Sequence, residues 1–150
     1  MSAHRNSDLD VLVIGLGRFG GAAAVELRRL GHKVVGMEKD GLIAERFLGQ
    51  ITQVVHADGS SPVAIREVKA HRFRIAIVGI ASSIEGSVLA AANLVDAGVQ
   101  DIWAKAMSLE HARILDRIGV HHVVRPESDT GRRVAHMAGG NLQDYIDFDD

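Results

Sequence analysis

The sequence predicts an α/β fold in which six parallel strands form one doubly wound sheet. Short β-branched apolar runs alternate strictly with segments of helical periodicity, and 16 glycines accompany only two prolines in 150 residues. Runs that are apolar on both faces are typical of buried parallel strands, and the alternation places helices on both faces of the sheet. A length of 150 residues suits a single domain.

The elements follow one another in a regular order. The predicted strands are Asp10–Gly15, Lys33–Met37, Gln53–Ala57, Ile75–Gly79, Ile102–Ala106 and His121–Arg125. The predicted helices are Phe19–Leu30, Leu42–Leu48, one that starts at Pro62 after a capping pair of serines, Ile84–Val95, Leu109–Ile118 and Asp129–Met137. The last helix is expected to end near Ala138, so residues 9–139 are the predicted domain. Residues 1–8 are expected to be disordered, and residues 140–150 to form a tail.

The composition argues against several classes of protein. With 17 Lys and Arg against 19 Asp and Glu, the net charge of −2 does not favour a nucleic-acid partner. Cysteine is absent and the eight histidines lack metal-ligand spacing, so no zinc or histidine metal site is predicted. No apolar run approaches the roughly 20 residues that span a bilayer, and the polar N-terminus does not resemble a signal peptide. We therefore expect a cytoplasmic protein without direct membrane insertion.

The strongest local signal is the glycine-rich loop Gly15-Leu16-Gly17-Arg18-Phe19-Gly20, which lies between the first predicted strand and helix. This G-x-G-x-x-G pattern is typical of Rossmann-like folds, in which the loop and the helix N-terminus bind phosphate. Glu38 ends the second strand, where a carboxylate can accept hydrogen bonds from both ribose hydroxyls and would repel a 2′-phosphate. The alternative is that the glycines only form a tight turn and Glu38 is a solvated acid.

Further polar residues follow the other strands at the same edge of the sheet. Arg18 could contact phosphate oxygens in its own subunit or a neighbour's, or could simply face solvent. Asp58 could accept a hydrogen bond from an adenine amino group, whereas Ser60 either caps the third helix or touches the base. Lys105 is either a crevice residue or a surface lysine. Glu127 is either a helix-start acid stabilised by the dipole or a ligand for a divalent cation.

These observations define a candidate nucleotide site. The candidate contact residues are Gly15, Leu16, Gly17, Arg18, Phe19, Gly20, Glu38, Lys39, Asp58, Gly59, Ser60, Ile80, Ala81, Ser82 and Lys105, with Glu127 as the candidate metal ligand. Gly79 is expected to line the same crevice. No nucleophile elbow or Walker A loop occurs, and no chain remains to form a substrate domain, so we predict no catalytic residue and no enzyme. A fragment of an NAD-dependent oxidoreductase remains the alternative, because Glu38 suits NAD as well as ATP.

On these motifs the chain resembles the N-terminal RCK domain, or TrkA-N fold, of regulators of potassium conductance, and in particular the regulatory subunits of Ktr-type bacterial potassium uptake systems. The matching segments are Gly15–Gly20 with Glu38, Ala57–Ser61, Gly79–Ser87, Ile102–Ala106 and Ile118–Ala135. The resemblance implies a cytoplasmic gating domain that forms homodimers and usually an octameric ring. Such a ring lies at the inner face of the cell membrane, beneath a potassium-translocating subunit.

The resemblance also assigns ligands and roles. It implies that ATP and ADP compete for the crevice, that Arg18 reads the terminal phosphate of ATP across the dimer interface, and that Asp58 lies near the adenine. Lys105 would line the site, and Glu127 would bind Mg²⁺ or another divalent cation beside the γ-phosphate. Other members bind NAD or NADH, which leaves a redox sensor as an alternative. Members continue into a C-terminal RCK domain that often binds a cyclic dinucleotide, so residues 140–150 are expected to lead toward such a domain. The chain would then be part of a longer protein, the alternative being a natural protein with this domain only.

Overall fold

The computed structural model describes residues 9–149, with the side chains of residues 10–142. Its strands are β1 (Leu9–Ile14), β2 (Val34–Glu38), β3 (Gln53–His56), β4 (Phe73–Val78), β5 (Ile102–Lys105) and β6 (His122–Val124). Its helices are α1 (Arg18–Arg29), α2 (Gly41–Arg46), α3 (Pro62–Glu67), α4 (Ile84–Asp96), α5 (Leu109–Ile118) and α6 (Pro126–Asp149), with a short 3-10 helix at Ala70–Arg72. The segment expected to be disordered, residues 1–8, lies outside the described residues.

The six strands form one parallel sheet in the order β3-β2-β1-β4-β5-β6, which confirms the predicted doubly wound fold. The chain builds outward from β1 in one direction through β2 and β3, and then in the other through β4, β5 and β6. The strand order therefore reverses between β1 and β4. In such sheets a crevice forms at this reversal, outside the carboxyl ends of the strands.

Helices cover both faces of the sheet, and β1 shows how its residues divide between them. Leu12 and Ile14 are buried on the face covered by α3, α4 and α5, together with Leu94 and Leu115. On the opposite face, covered by α1 and α2, a second apolar cluster contains Val11, Val13, Leu16, Ala24, Val34 and Ile51. Because successive residues of a strand point to opposite faces, a strand buried on both sides must be apolar throughout. Packing on both faces therefore fixes where β1 ends and where the loop after it begins.

Helix α6 departs most from the sequence-based expectation. It begins at Pro126 and continues to Asp149, instead of running from Asp129 to Met137 and ending near Ala138. The helix continues through Gly139 and Gly140, because neither glycine has the positive φ that a helix-ending glycine commonly adopts. The domain boundary predicted at 139 therefore falls inside one helix. Residues 130–142 are all exposed. Although α6 has 24 residues, neither it nor any other helix in the described part is long and apolar enough to cross a membrane.

Candidate functional site

A crevice of about 200 Å³ opens where the strand order reverses, at the carboxyl ends of the strands. Four segments form its walls: the β1–α1 loop, the end of β2, the loop between β3 and α3, and the segment between β4 and α4. The predicted residues that line it are Gly15, Gly17, Glu38, Lys39, Asp58, Gly59, Ser60, Ile80, Ala81 and Ser82, together with the expected Gly79. The structure thus brings together side chains and loops that are far apart in sequence.

The glycine loop forms the floor of the crevice, and its three motif glycines have different roles. Gly15 has a φ of +94°, a left-handed conformation that favours glycine. A β-carbon at Gly20 would lie 1.8 Å from the carbonyl oxygen of Gly15, so Gly20 allows α1 to approach the loop. A β-carbon at Gly17, by contrast, would have no atom within 4 Å. Gly17 therefore faces open space from which a ligand can approach the backbone.

Gly17 is also the N-cap residue of α1, and it carries no side chain to cap the helix. The first N–H groups of a helix have no partners within the helix and lie at the positive end of its dipole. No acidic residue occupies the first turn of α1. This arrangement suits an anion such as a phosphate group over Gly17.

Glu38 connects the glycine loop to the end of β2. Its side chain is largely buried, with 9% relative exposure. One carboxylate oxygen accepts a hydrogen bond from the backbone N–H of Leu16 at 2.7 Å, and the other accepts one from the N–H of Asp40 at 2.9 Å. Each carboxylate oxygen can accept a further hydrogen bond. The carboxylate is therefore held in place by the backbone while it keeps capacity for ribose hydroxyls.

Asp58 and Ser60 lie in the loop after β3, which is the strand next to β2, and form a turn closed by their own hydrogen bonds. Asp58 Oδ1 accepts hydrogen bonds from the Ser60 N–H at 2.9 Å and the Ser60 hydroxyl at 2.8 Å. These two bonds, with a smaller contribution from the charge of Lys39, hold the pKa of Asp58 below its usual value. Asp58 is thus a stable anionic acceptor near neutral pH. The expectation that Ser60 caps α3 is wrong: the cap is Ser61, whose Oγ accepts the N–H of Ala64 at 3.4 Å.

Five predicted contact residues do not line the crevice. Leu16 is buried and offers only its backbone, and Gly20 lies behind the loop. Arg18, the first residue of α1, is exposed. The Lys105 ammonium lies 5.9 Å from the centroid of the Phe19 ring, which places both residues beside the start of α1. Arg18 and Lys105 thus place positive charges near the glycine loop, but their side chains do not line the crevice.

Glu127 lies apart from the crevice lining, exposed in the first turn of α6. Its neighbour Asp129 accepts the backbone N–H of Arg125 at 3.0 Å and also pairs with Arg132. Among the side chains that the structure describes, those of residues 10–142, no group of three or more His, Cys, Asp or Glu is arranged to hold a metal ion. A single carboxylate such as Glu127 can bind Mg²⁺ only if nucleotide phosphates and water supply the other ligands.

The sequence interpretation missed part of the lining. The missed residues are Ile14, Met37, Ile43, Ala57, Ser83 and Gly86. Ile14 and Met37 immediately precede the predicted site residues Gly15 and Glu38. Their positions at the ends of strands could therefore have indicated that they line the crevice. Ile43, Ser83 and Gly86 belong to the starts of helices or their caps. Their placement depends on how α2 and α4 pack, which local sequence does not reveal.

The strand-order reversal, the glycine loop and the acid at the end of β2 define a Rossmann-type nucleotide-binding fold. Within that class, the sequence model of the TrkA-N domain family matches residues 11–126, and the chain belongs to this family.

Curated relatives connect the family to potassium uptake. The chain is 32% identical over 139 residues to Ktr system potassium uptake protein A of Bacillus subtilis, a match that covers 92% of this chain and 63% of the relative. It is 32% identical over 131 residues to Ktr system potassium uptake protein A of Vibrio alginolyticus, covering 87% of this chain and 60% of that one. The chain therefore spans about three fifths of the length of these relatives.

Solved structures share the fold at lower sequence identity. The TrkA-N domain of the inner membrane protein ybaL from Escherichia coli superposes with a TM-score of 0.78 at 15% identity, covering 87% of this chain and 96% of that one. The GsuK channel bound to NAD gives a TM-score of 0.70 at 16% identity, covering 79% of this chain and 22% of the channel. GsuK bound to ADP gives 0.69 at 16% identity, covering 79% and 31%.

Proposed function

We propose that the chain is a nucleotide-sensing regulatory domain of a potassium transporter or channel. The observation that carries the proposal is the crevice, in which open backbone at Gly17 and the positioned carboxylate of Glu38 flank one space. Membership of the TrkA-N family and the potassium uptake proteins among the relatives support the transport context. The NAD and ADP complexes of GsuK support a nucleotide as the ligand.

In the proposed complex the phosphates, the ribose and the adenine of the nucleotide are each bound by a different residue of the crevice. The phosphates lie over Gly17 at the start of α1, and the ribose hydroxyls donate to Glu38. The adenine amino group donates to Asp58, which the lowered pKa keeps ionised. Both carboxylates accept backbone N–H groups in the free chain, which suits binding without rearrangement.

The regulatory step is the exchange of ATP for ADP, and Arg18 is the residue that distinguishes them. Arg18 is exposed beside the glycine loop, where its guanidinium can reach the γ-phosphate across the interface with a second copy. A ligand can shift a conformational equilibrium only by its differential affinity for the two states. Since ADP lacks the γ-phosphate, contact with Arg18 supplies that difference and changes the geometry of the dimer or ring.

The proposed assembly is a homodimer, which forms an octameric ring in the full-length context and docks on a membrane potassium-translocating subunit from the cytoplasmic side. Helix α4 is the candidate dimer face. It buries Ala90, Ala91 and Leu94 against the sheet, while Ile84 and Leu89 remain 44% and 43% exposed. A partner that covers these two side chains would remove apolar surface from water.

Glu127 is the proposed ligand for Mg²⁺ or another divalent cation that accompanies ATP. An exposed carboxylate at the start of a helix can complete the coordination of a cation already held by β- and γ-phosphate oxygens. In this arrangement the cation strengthens ATP binding more than ADP binding, because ADP lacks the γ-phosphate.

We infer a binding role rather than catalysis for the crevice. The two carboxylates that line it, Glu38 and Asp58, both accept hydrogen bonds from the backbone of neighbouring residues. Carboxylates held in this way suit recognition of hydroxyl and amino groups, and the bonds from Ser60 also keep the pKa of Asp58 below its usual value. An NAD(H)-binding redox sensor is the second candidate, favoured by the NAD complex of GsuK. A fragment of an NAD-dependent oxidoreductase would use the same crevice.

Calorimetric titration with ATP, ADP, NAD and NADH, with and without Mg²⁺, tests the proposal. We expect ATP and ADP to bind more tightly than the dinucleotides, with ATP strengthened by the cation. Gly17→Ala is the test variant, because its methyl group enters the space in which the proposal places the phosphates and clashes with no protein atom. This variant should keep its fold and lose affinity. Preference for NADH would support redox sensing instead, and affinity unchanged in Gly17→Ala would place the ligand elsewhere.

Arg18→Ala is expected to keep ADP binding and to lose most of the preference for ATP. A charge-assisted hydrogen bond contributes about 1.5–3 kcal/mol, so the ATP/ADP affinity ratio should fall by at least about tenfold. Calorimetry of both nucleotides measures this ratio. Arg28→Ala, which removes an exposed arginine from the other end of α1, is the control and should leave the ratio unchanged. Equal weakening of ATP and ADP would contradict the role of Arg18.

A further inference from the structure

Helix α4 makes a polar contact with the crevice that the sequence pattern did not indicate. The side-chain amide of Asn93 donates a hydrogen bond to the carbonyl oxygen of Gly59 at 3.1 Å. Asn93 is half-buried in the third turn of α4, and 34 residues separate the two partners. Gly59 lines the crevice between Asp58 and Ser60. The contact therefore joins α4 to the wall of the crevice.

The contact acts on residues 58–61, here named the base-side turn. Within this turn, Asp58 accepts from both the N–H and the hydroxyl of Ser60, and its carbonyl accepts the N–H of Ser61 at 3.0 Å. These bonds give the turn its internal shape. They do not fix the turn relative to the sheet, because every group involved belongs to the turn itself.

In addition to the cap that Ser61 provides for α3, two contacts of Gly59 hold the turn, one with β1 and one with α4. A β-carbon at Gly59 would lie 2.4 Å from Cγ2 of Ile14, so the turn packs directly on the last residue of β1. Asn93 holds the Gly59 carbonyl from the side of α4. Packing on Ile14 limits how far the turn can move inward, and the hydrogen bond to Asn93 limits its movement away from α4.

We propose that Asn93 is a positioning residue that fixes the base-side turn so that Asp58 can recognise the base of the nucleotide. This inference rests on the proposed function, since it assigns Asp58 to the adenine. Asn93 does not line the crevice and acts only through Gly59. The glycine loop and Glu38, which bind phosphate and ribose in the proposed function, are held by other contacts.

The inference predicts that removal of the Asn93 amide weakens recognition of the base and leaves recognition of the sugar phosphate intact. Two probes separate these parts: AMP, which contains adenine, and ribose 5-phosphate, which lacks it. Asn93→Leu removes the donor with little change in side-chain size. We expect its affinity for AMP to fall about fivefold, the equivalent of one neutral hydrogen bond. Its affinity for ribose 5-phosphate should stay unchanged.

The experiment is a calorimetric titration of the full chain and its variants with both probes. Asn141→Leu, the same change at an exposed position of α6, is the matched control and should leave both affinities unchanged. If Asn93→Leu does not fold, Asn93→Ala removes the same donor with a smaller side chain and a strong helix former. Circular dichroism establishes the fold of each variant.

The outcomes separate this inference from the function on which it rests. Loss of AMP affinity alone supports the positioning role. Equal loss for AMP and ribose 5-phosphate indicates a general structural role and overturns it, as does an unchanged affinity for AMP. Failure of the wild-type chain to bind AMP overturns the proposed function and this inference with it, whereas the other results leave the proposed function standing.

Discussion

Gly20→Ala is expected to destabilise the protein by at least about 3 kcal/mol, because the new methyl group would overlap backbone that cannot yield. Its β-carbon would lie 1.8 Å from the carbonyl oxygen of Gly15 and 3.0 Å from the carbonyl carbon. Relief requires α1 to move away from the glycine loop. That movement would disturb the packing of Ala24 on the sheet. For a chain of this size, the melting temperature should fall by about 10 °C.

Thermal and denaturant unfolding measure this effect, and Gly131→Ala provides its control. Gly131 lies in α6, where a β-carbon meets no atom within 4 Å. Alanine there should stabilise the helix by up to about 1 kcal/mol, since alanine has the higher helix propensity. Replacement of glycine by alanine is thus expected to lower the free energy of unfolding at position 20 and to raise it at position 131. A Gly20→Ala protein as stable as the wild type would show that α1 does not pack against the loop as described.

Glu38→Gln is expected to reduce both stability and nucleotide affinity, although it changes the side-chain volume little. Each carboxylate oxygen accepts one backbone N–H, from Leu16 or from Asp40. An amide has one oxygen, so its NH₂ group must face one of these donors in either orientation. Leaving a buried N–H without an acceptor costs about 1–3 kcal/mol. Affinity for ADP should fall at least about tenfold, because the lost charge also weakens acceptance from the ribose hydroxyls.

Denaturant unfolding and ADP titration measure these two losses separately. Glu45→Gln, at an exposed position in α2, is the control and should change neither quantity. If Glu38→Gln binds ADP as the wild type does while losing stability, Glu38 would be a purely structural acid. The ribose would then have to be assigned to another group.

The features that could be predicted from sequence are those that local chemistry determines. Strands buried on both faces need apolar residues on both, so the apolar run Val11–Ile14 indicated a strand without further context. The Gly15–Gly20 loop and Glu38 were predicted as parts of one site because their spacing reflects geometry that recurs in doubly wound sheets. The structure brings them together through the hydrogen bond from Leu16 to Glu38.

Other features could not be predicted, because they depend on contacts and backbone conformations that the neighbouring residues do not determine. Ser60 and Ser61 are equally plausible caps for α3, and only the competing bond of Ser60 to Asp58 decides for Ser61. Helix α6 runs through Gly139 and Gly140, because neither glycine adopts the positive φ with which glycine commonly ends a helix. The bond between Asn93 and Gly59 depends on the packing of α4 beside the base-side turn, which no local pattern encodes.

The extent of α6 has a mechanical consequence. A helix of 24 residues is about 36 Å long, and residues 130–142 lie exposed along it. It starts at Pro126, directly after β6, at the same edge of the sheet as the crevice. A rotation of about 5° at that start would move the far end by about 3 Å, since displacement scales with length. Any small change of angle at Pro126 is thus amplified along α6 into a displacement of its far end.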